Sequence, residues 1–217
     1  MRFWDKDRPF LYLITNRHLF PDIQKFLDTL DVVLSAGVDI LQLREKDLSS
    51  ADLYNLACEV RDLCKRYGTV FLINDRADIA MAVEADGVHL TEQSLPSPIV
   101  RKILGSNKII GRSIHKIQDI DREASAGTDF ITFSPVFYTE SKARYGSPQG
   151  IERLKDACMH SNIPVAALGG INTNNVDEVL AAGVCGVAVI SAVLGDDHPA
   201  ESVSLFRNLL ETRDASF

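Results

Sequence analysis

Thr139, Ser141 and Lys142 put two hydroxyls and one ammonium within four residues, inside the segment FITFSPVFYTESKARYGSPQG that spans 130–150. Together they offer a bound anion two O–H donors and a fixed positive charge, a set suited to phosphate or pyrophosphate. The same residues at the same spacing also occur in ordinary solvated loops. The segment opens with a β-branched and aromatic run, Phe130 to Phe133, that reads as a buried parallel strand. The polar residues therefore sit directly on a strand's C-terminal end, which is where α/β proteins carry their chemistry.

Apolar runs of strand length recur at Phe10–Ile14, Ile40–Leu43, Val70–Ile73, Gly87–Leu90, Ile109–Gly111, Phe130–Phe133, Val165–Leu168 and Gly186–Ile190. A helical stripe follows each of them. The clearest is Leu53, Leu56, Ala57, Val60, Leu63, Cys64 and Tyr67, closed by Gly68. Strict alternation of strand and helix predicts an α/β fold of one domain, a (β/α)8 TIM barrel closed by parallel strands. An open doubly wound sheet is the competitor, but no G-x-G-x-x-G follows the first strand. The segments AGVDILQL, AGTDFITF and AGVCGVAV each place a glycine at a helix C-terminus just before a strand.

In such a barrel the loops after the strands form one mouth. Nearly every strand brings polar residues to it: Thr15 to Arg17, then Gln42 and Arg44 to Lys46, then Asn74 to Arg76, then His89 and Thr91 to Ser94, then Arg112, Ser113 and His115. Gln42 and Arg44 alternate with Leu41 and Leu43, so the period of two points both polar side chains inward. An inward arginine calls for an anion or for a neighbouring carboxylate such as Asp75. Asn74 and Asp75 offer amide and carboxylate oxygens to a hard cation, although Asp75 could equally cap the next helix. Gly169-Gly170 and Ile190-Ser191 end the last two strands, where barrels bind phosphate through main-chain N–H groups; a pair of glycines also makes a plain tight turn. His115 is open between an acid/base role and helix capping.

The composition restricts the rest. The 217 residues are 46% apolar and 24% charged, as in an ordinary globular protein, and the net charge of −7 gives no support to nucleic-acid binding. The N-terminal apolar run is too short for a leader or a membrane span, so a cytoplasmic protein is expected, with no membrane partner. Cys58, Cys64, Cys158 and Cys185 lack metal-site spacing and read as free thiols. Oligomeric state is not encoded legibly, and a homodimer is left open.

Taken together the motifs resemble those of the thiamine phosphate synthase and TenI family of barrels. The resemblance rests on Gln42-Leu43-Arg44-Glu45-Lys46, Ile73-Asn74-Asp75-Arg76, Asp86-Gly87-Val88-His89-Leu90, Gly111-Arg112-Ser113-Ile114-His115, Pro135-Val136-Phe137 with Thr139-Glu140-Ser141-Lys142, Leu168-Gly169-Gly170-Ile171 and Val189-Ile190-Ser191. It implies a synthase that joins hydroxymethylpyrimidine diphosphate to thiazole phosphate and releases pyrophosphate. Under that resemblance Gln42, Arg44, Lys46 and Asn74 would hold the diphosphate and pyrimidine, and Asp75 would bind Mg²⁺. Ser113, Thr139, Ser141 and Lys142 would grip pyrophosphate, and Gly170, Ile190 and Ser191 would cradle the thiazole phosphate. Arg44, Ser113 and Lys142 would be catalytic, with His115 a further substrate contact. Two positions depart from the pattern. Synthases carry a second metal-binding aspartate where this chain has Ser94, and the histidine of the TenI-type thiazole tautomerase would stand at Pro135. The alternatives are accordingly a tautomerase, or a non-catalytic binder of phosphate ligands in the same pathway.

Overall fold

The computed structural model describes residues 8–139 and 147–211. Eight parallel strands close into a barrel in sequential order: β1 (Phe10–Ile14), β2 (Ile40–Leu43), β3 (Val70–Asn74), β4 (Gly87–Leu90), β5 (Ile109–Ile114), β6 (Phe130–Phe133), β7 (Val165–Leu168) and β8 (Gly186–Val189). The ring closes through β8 and β1, with Phe10 opposite Gly186 and Leu13 opposite Val189. Five of the eight expected strands have the expected bounds. β3 and β5 run further, to Asn74 and Ile114, because hydrogen bonding continues through polar residues that interrupt an apolar run, and β8 stops one residue earlier.

Among the described residues the helices are α1 (Ile23–Ser35), α2 (Ser50–Tyr67), α3 (Ala77–Ala82), α4 (Ser97–Leu104), α5 (Ile120–Ser125), α6 (Gly150–His160), α7 (Val176–Ala181), α8 (Ser191–Leu194) and α9 (Pro199–Glu211). Local sequence explains the starts of the two longest after β1 and β2. Asp22 accepts the Lys25 N–H at the head of α1, and Ser49 accepts the Asp52 N–H at the head of α2. The one-turn α8, inserted between β8 and α9, is too short to leave a periodic signature and is absent from the sequence reading. No helix among the described residues is long and apolar enough to cross a membrane.

Two apolar layers result from the period of two. Outward residues such as Leu11, Leu13, Leu41, Phe71, Ile73, Val88, Ile110 and Ile131 meet the helices. Inward residues Phe10, Tyr12, Ile14, Ile40, Leu72, Phe130, Ala166 and Ala188 fill the barrel. The interior is aromatic on one side: Phe130 lies edge-on to Phe10 at 6.1 Å and to Tyr12 at 5.8 Å between ring centroids. Those rings fit because Gly111 and Gly186 supply no side chain. A Cβ on Gly186 would overlap the Phe10 ring, and one on Gly111 would overlap Phe130 and lie 2.6 Å from His89 Nδ1.

All four cysteines are free thiols, as expected. Burial pushes the Cys64 thiol far above its ordinary range and the Cys158 thiol up to about 12. A raised thiol pKa means that the nucleophilic thiolate is scarce at pH 8. Iodoacetamide at pH 8 should therefore spare Cys64 and Cys158 in the folded protein and modify both in denaturant, as read by mass spectrometry; rapid native labelling of either would contradict this packing. Replacing Gly111 by alanine should lower stability by about 2–3 kcal/mol through overpacking, visible as a lower urea midpoint at unchanged slope.

Candidate active site at the barrel mouth

Above the aromatic floor the interior turns polar, and several of its groups bond to one another. Gln42 Nε2 donates to the Tyr12 hydroxyl at 2.8 Å. Burial pushes the Tyr12 phenol well above its ordinary range, with the Gln42 contact acting in the opposite sense, so it stays neutral. His89, buried on β4, has ring centroids 5.7 Å from both Tyr12 and Phe130. Its Nε2 stands 3.1 Å from Ser113 Oγ and 3.3 Å from Thr132 Oγ1, and Thr132 donates to Ser113 Oγ at 3.3 Å. Ser113, on β5 beside Thr132 of β6, is only half-buried and forms the upper edge of this layer.

Around the rim, several strand exits are latched to a neighbour. Asn74 ends β3 facing inward, and its Oδ1 is buried without a hydrogen-bond partner. Asp75 follows in the left-handed region at φ 64°, a conformation that aspartate tolerates better than most side chains, and its N–H donates to the His89 carbonyl at 2.9 Å. The carboxylate is exposed at the mouth. It does not cap α3, which has no side-chain cap. Similarly, His115 caps no helix: its Nδ1 lies 2.6 Å from the Ser134 carbonyl, which ties the β5 exit to the β6 exit.

The second exit is held from behind. Arg44 is half-buried at the mouth and Lys46 is exposed, whereas Glu45 is buried on the outer side. Its carboxylate accepts the Thr15 hydroxyl at 2.6 Å and the Arg17 N–H at 3.1 and 3.2 Å. Burial raises the Glu45 carboxyl above its ordinary value, opposed by the Thr15 and Arg17 hydrogen bonds.

Opposite these groups, the β6 and β7 exits lie against each other. Val136 N donates to the Leu168 carbonyl at 3.0 Å and Phe137 N to the Gly169 carbonyl at 2.9 Å. Gly169 and Gly170 have φ of 107° and 67°, and a Cβ on either would fall 2.7–2.8 Å from Pro135 or Phe137. The glycine pair is thus required by the close approach of two loops, whatever else it does. Beyond it, Ile190 and Ser191 lead into α8, where the carbonyl of Ile190 receives Val193 N and Leu194 N. The first N–H groups of a helix have no acceptor within it.

Gln42, Arg44, Asn74, Asp75, Ser113, His115, Thr139, Gly170, Ile190 and Ser191 all stand at strand exits or just beyond them, on one end of the barrel. Ser141 and Lys142 lie outside the described residues. Three polar residues counted at the mouth in the sequence reading are elsewhere. Arg112 faces outward on β5, buried in an ion pair with Glu123 at 3.3 Å and donating to the Leu95 carbonyl. Arg76 pairs with Asp78, and Glu45 lies behind the mouth. For Arg112 the period of two, which placed Gln42 correctly, gives the right answer when counted from Gly111. Conversely, the sequence reading gave His89 and Thr132 no role; the same alternation puts both inside, but nothing local says that they meet Ser113.

Asn74 Oδ1, an unsatisfied acceptor, and the exposed Asp75 carboxylate next to it are hard oxygen donors of the kind Mg²⁺ takes. Ser94 contributes little: its Oγ accepts the Thr91 N–H at 2.7 Å and lies 3.1 Å from Thr91 Oγ1, closing a turn. The donor set fits a magnesium ion held by one carboxylate and completed by substrate phosphate oxygens and water.

The family model described as thiamine monophosphate synthase matches residues 11–193. A putative thiamine-phosphate synthase of Geobacter sulfurreducens is 46% identical over 203 residues, covering 94% of this chain and 95% of its own. The thiamine-phosphate synthase of Clostridium novyi is 41% identical over 187 residues, covering 86% and 91%. Among solved structures, the thiamine phosphate pyrophosphorylase of Pyrococcus furiosus superposes with a TM-score of 0.86 at 32% identity, over 95% of this chain and 98% of that one. With an eight-stranded barrel, a mouth lined at each exit and a match that spans nearly all of the described chain, the protein belongs to the thiamine monophosphate synthase family.

Proposed function

We propose that the chain is a transferase that joins hydroxymethylpyrimidine diphosphate to thiazole phosphate, forming thiamine phosphate and releasing pyrophosphate. The observation that carries this reading is the gathering of Gln42, Arg44, Asn74, Asp75 and Ser113 at the exits of three strands, β2, β3 and β5, with the Gly169-Gly170 exit of β7 and the Ile190-Ser191 exit of β8 on the other side of the mouth. One side suits a diphosphate and the other a monophosphate, as two phosphorylated substrates require.

On this reading Arg44 and Lys46 meet the diphosphate, and Gln42 and Asn74 orient the pyrimidine. The bond that breaks joins the pyrimidine's methylene carbon to the diphosphate oxygen, and the bond that forms joins that carbon to the thiazole nitrogen. Negative charge collects on the departing pyrophosphate, and Arg44, Ser113, Thr139, Ser141 and Lys142 neutralise it by charge-assisted and hydroxyl hydrogen bonds. Gly170, Ile190 and Ser191 hold the thiazole phosphate on main-chain N–H groups, which places its ring nitrogen for attack. Asp75, with Asn74 beside it, would hold Mg²⁺, which when bound supplies positive charge to the diphosphate oxygens. No covalent nucleophile is needed. The tautomerase alternative finds no acid or base at Pro135, whose ring packs against Gly169.

Incubation of the protein with both substrates and Mg²⁺, followed by oxidation and fluorescence detection of thiamine phosphate, tests the proposal; absence of product under saturating substrates would refute it. Arg44→Ala and Lys142→Ala should each reduce kcat/KM by at least about 2 kcal/mol of transition-state stabilisation, the scale of a charge-assisted contact to a leaving anion. Unchanged kinetics in both would remove these residues from the mechanism. Ser94→Asp should keep the turn to Thr91, since an aspartate oxygen closes such turns as a hydroxyl does, and its second oxygen adds a carboxylate donor. A Mg²⁺ titration of that variant should reach half-maximal activity at a lower metal concentration than the wild type, and identical metal-independent traces would exclude a catalytic ion.

A further inference from the structure

Thr15 and Glu45 have no place in the proposed chemistry, yet they form a buried relay behind Arg44. The Thr15 N–H donates to the Gln42 carbonyl at 3.0 Å, the last main-chain rung between β1 and β2. Where the next rung would fall, the Arg44 N–H donates at 2.9 Å to the Thr15 hydroxyl oxygen. That hydroxyl has a single proton, and it is committed to Glu45 Oε1 at 2.6 Å. An ionised carboxylate only accepts, so it fixes the hydroxyl's direction and leaves an oxygen lone pair for the Arg44 N–H. Both side chains are shut off from water, Thr15 at 0% and Glu45 at 5% exposure, so no solvent molecule competes for these bonds. The second carboxylate oxygen also accepts the Arg17 N–H, pinning the β1 exit to the same point.

We infer that Thr15 and Glu45 are positioning residues for anion binding: their hydrogen-bonded relay fixes the main chain of Arg44 so that its guanidinium meets a diphosphate. The inference rests on the synthase reading only in taking Arg44 as a diphosphate ligand. Its effect should appear in ground-state binding, because the relay sets where Arg44 stands before any bond breaks.

The test is calorimetric titration of inorganic pyrophosphate with Mg²⁺ into wild type, Thr15→Val, Thr15→Ser, Glu45→Gln, Arg44→Ala and the Thr15→Val/Arg44→Ala double variant. Thr15→Val keeps the shape and removes the hydroxyl, and should weaken binding about tenfold, the size of a coupling between residues in one hydrogen-bond network. Glu45→Gln should do the same, whereas Thr15→Ser, which restores the hydroxyl, should stay within about twofold of wild type. In the Arg44→Ala background Thr15→Val should add nothing. In turnover assays Thr15→Val should raise KM for the diphosphate substrate with little change in kcat. If Glu45→Gln does not fold, the valine and serine variants at Thr15 carry the result. Equal weakening by Thr15→Val with and without Arg44, an impaired Thr15→Ser, or a wild type that does not bind pyrophosphate would overturn the inference. A coupled relay in a protein that makes no thiamine phosphate would support it while refuting the synthase reading, and additive effects in an active synthase would do the reverse.

Discussion

The inside of an eight-stranded parallel barrel is only as wide as the side chains that fill it, and this limit governs the whole structure. Phe10, Tyr12 and Phe130 occupy most of the available width, which forces glycine at 111 and 186 and leaves small Ala166 and Ala188 on β7 and β8, the strands between them in the ring. The aromatic plug closes the barrel below. Above it, the next inward positions on β2 to β6 are Gln42, Asn74, His89, Ser113 and Thr132, while β1, β7 and β8 bring the apolar Ile14, Leu168 and Ile190. The register thus sets which positions face the mouth, and on β2 to β6 the sequence fills them with polar side chains.

That layer survives burial because its members bond to each other. Gln42 donates a hydrogen bond to Tyr12, and His89, Ser113 and Thr132 lie within hydrogen-bond distance as a triangle. Buried polar groups left unpaired would cost more than the bonds return, so such a layer must be nearly complete to be tolerated. Asn74 Oδ1 is buried without a hydrogen-bond partner, and it lies beside the exposed Asp75 carboxylate.

Outside the barrel, charges do a different job. Arg112 with Glu123, Arg207 with Asp39, and Glu45 with Thr15 and Arg17 each lie between a strand and the shell around it. Buried pairs of this kind are weak contributors to net stability, but a lost partner is costly, so they select one arrangement over near alternatives. At the β1 and β2 exits the arrangement selected is that of Thr15, Arg17 and Arg44, tied together through Glu45. Rigid exits matter because groups converging on a small anion must hold position to a fraction of an ångström.

Much of this was legible in the sequence. Eight strands alternating with helices predicted a closed barrel, five strands had the right bounds, and Gln42 was placed inward, all because side-chain direction along a strand follows a period of two and every layer of this fold repeats it. The motif resemblance also named the family, since ligand-binding residues fall on loops whose order is fixed by the chain. The rest needed the fold. Glu45 and Arg112 sit in the same polar runs as Arg44 and Ser113; the period of two turns Arg112 outward, but only the closed fold shows that Thr15 on β1 waits for Glu45 and Glu123 on α5 waits for Arg112, 30 and 11 residues away. His89 meeting Ser113 and Thr132 likewise depends on the register of three strands. Composition and periodicity are local properties of a chain, whereas the partner of a buried polar group is a long-range fact, decided when the barrel closes.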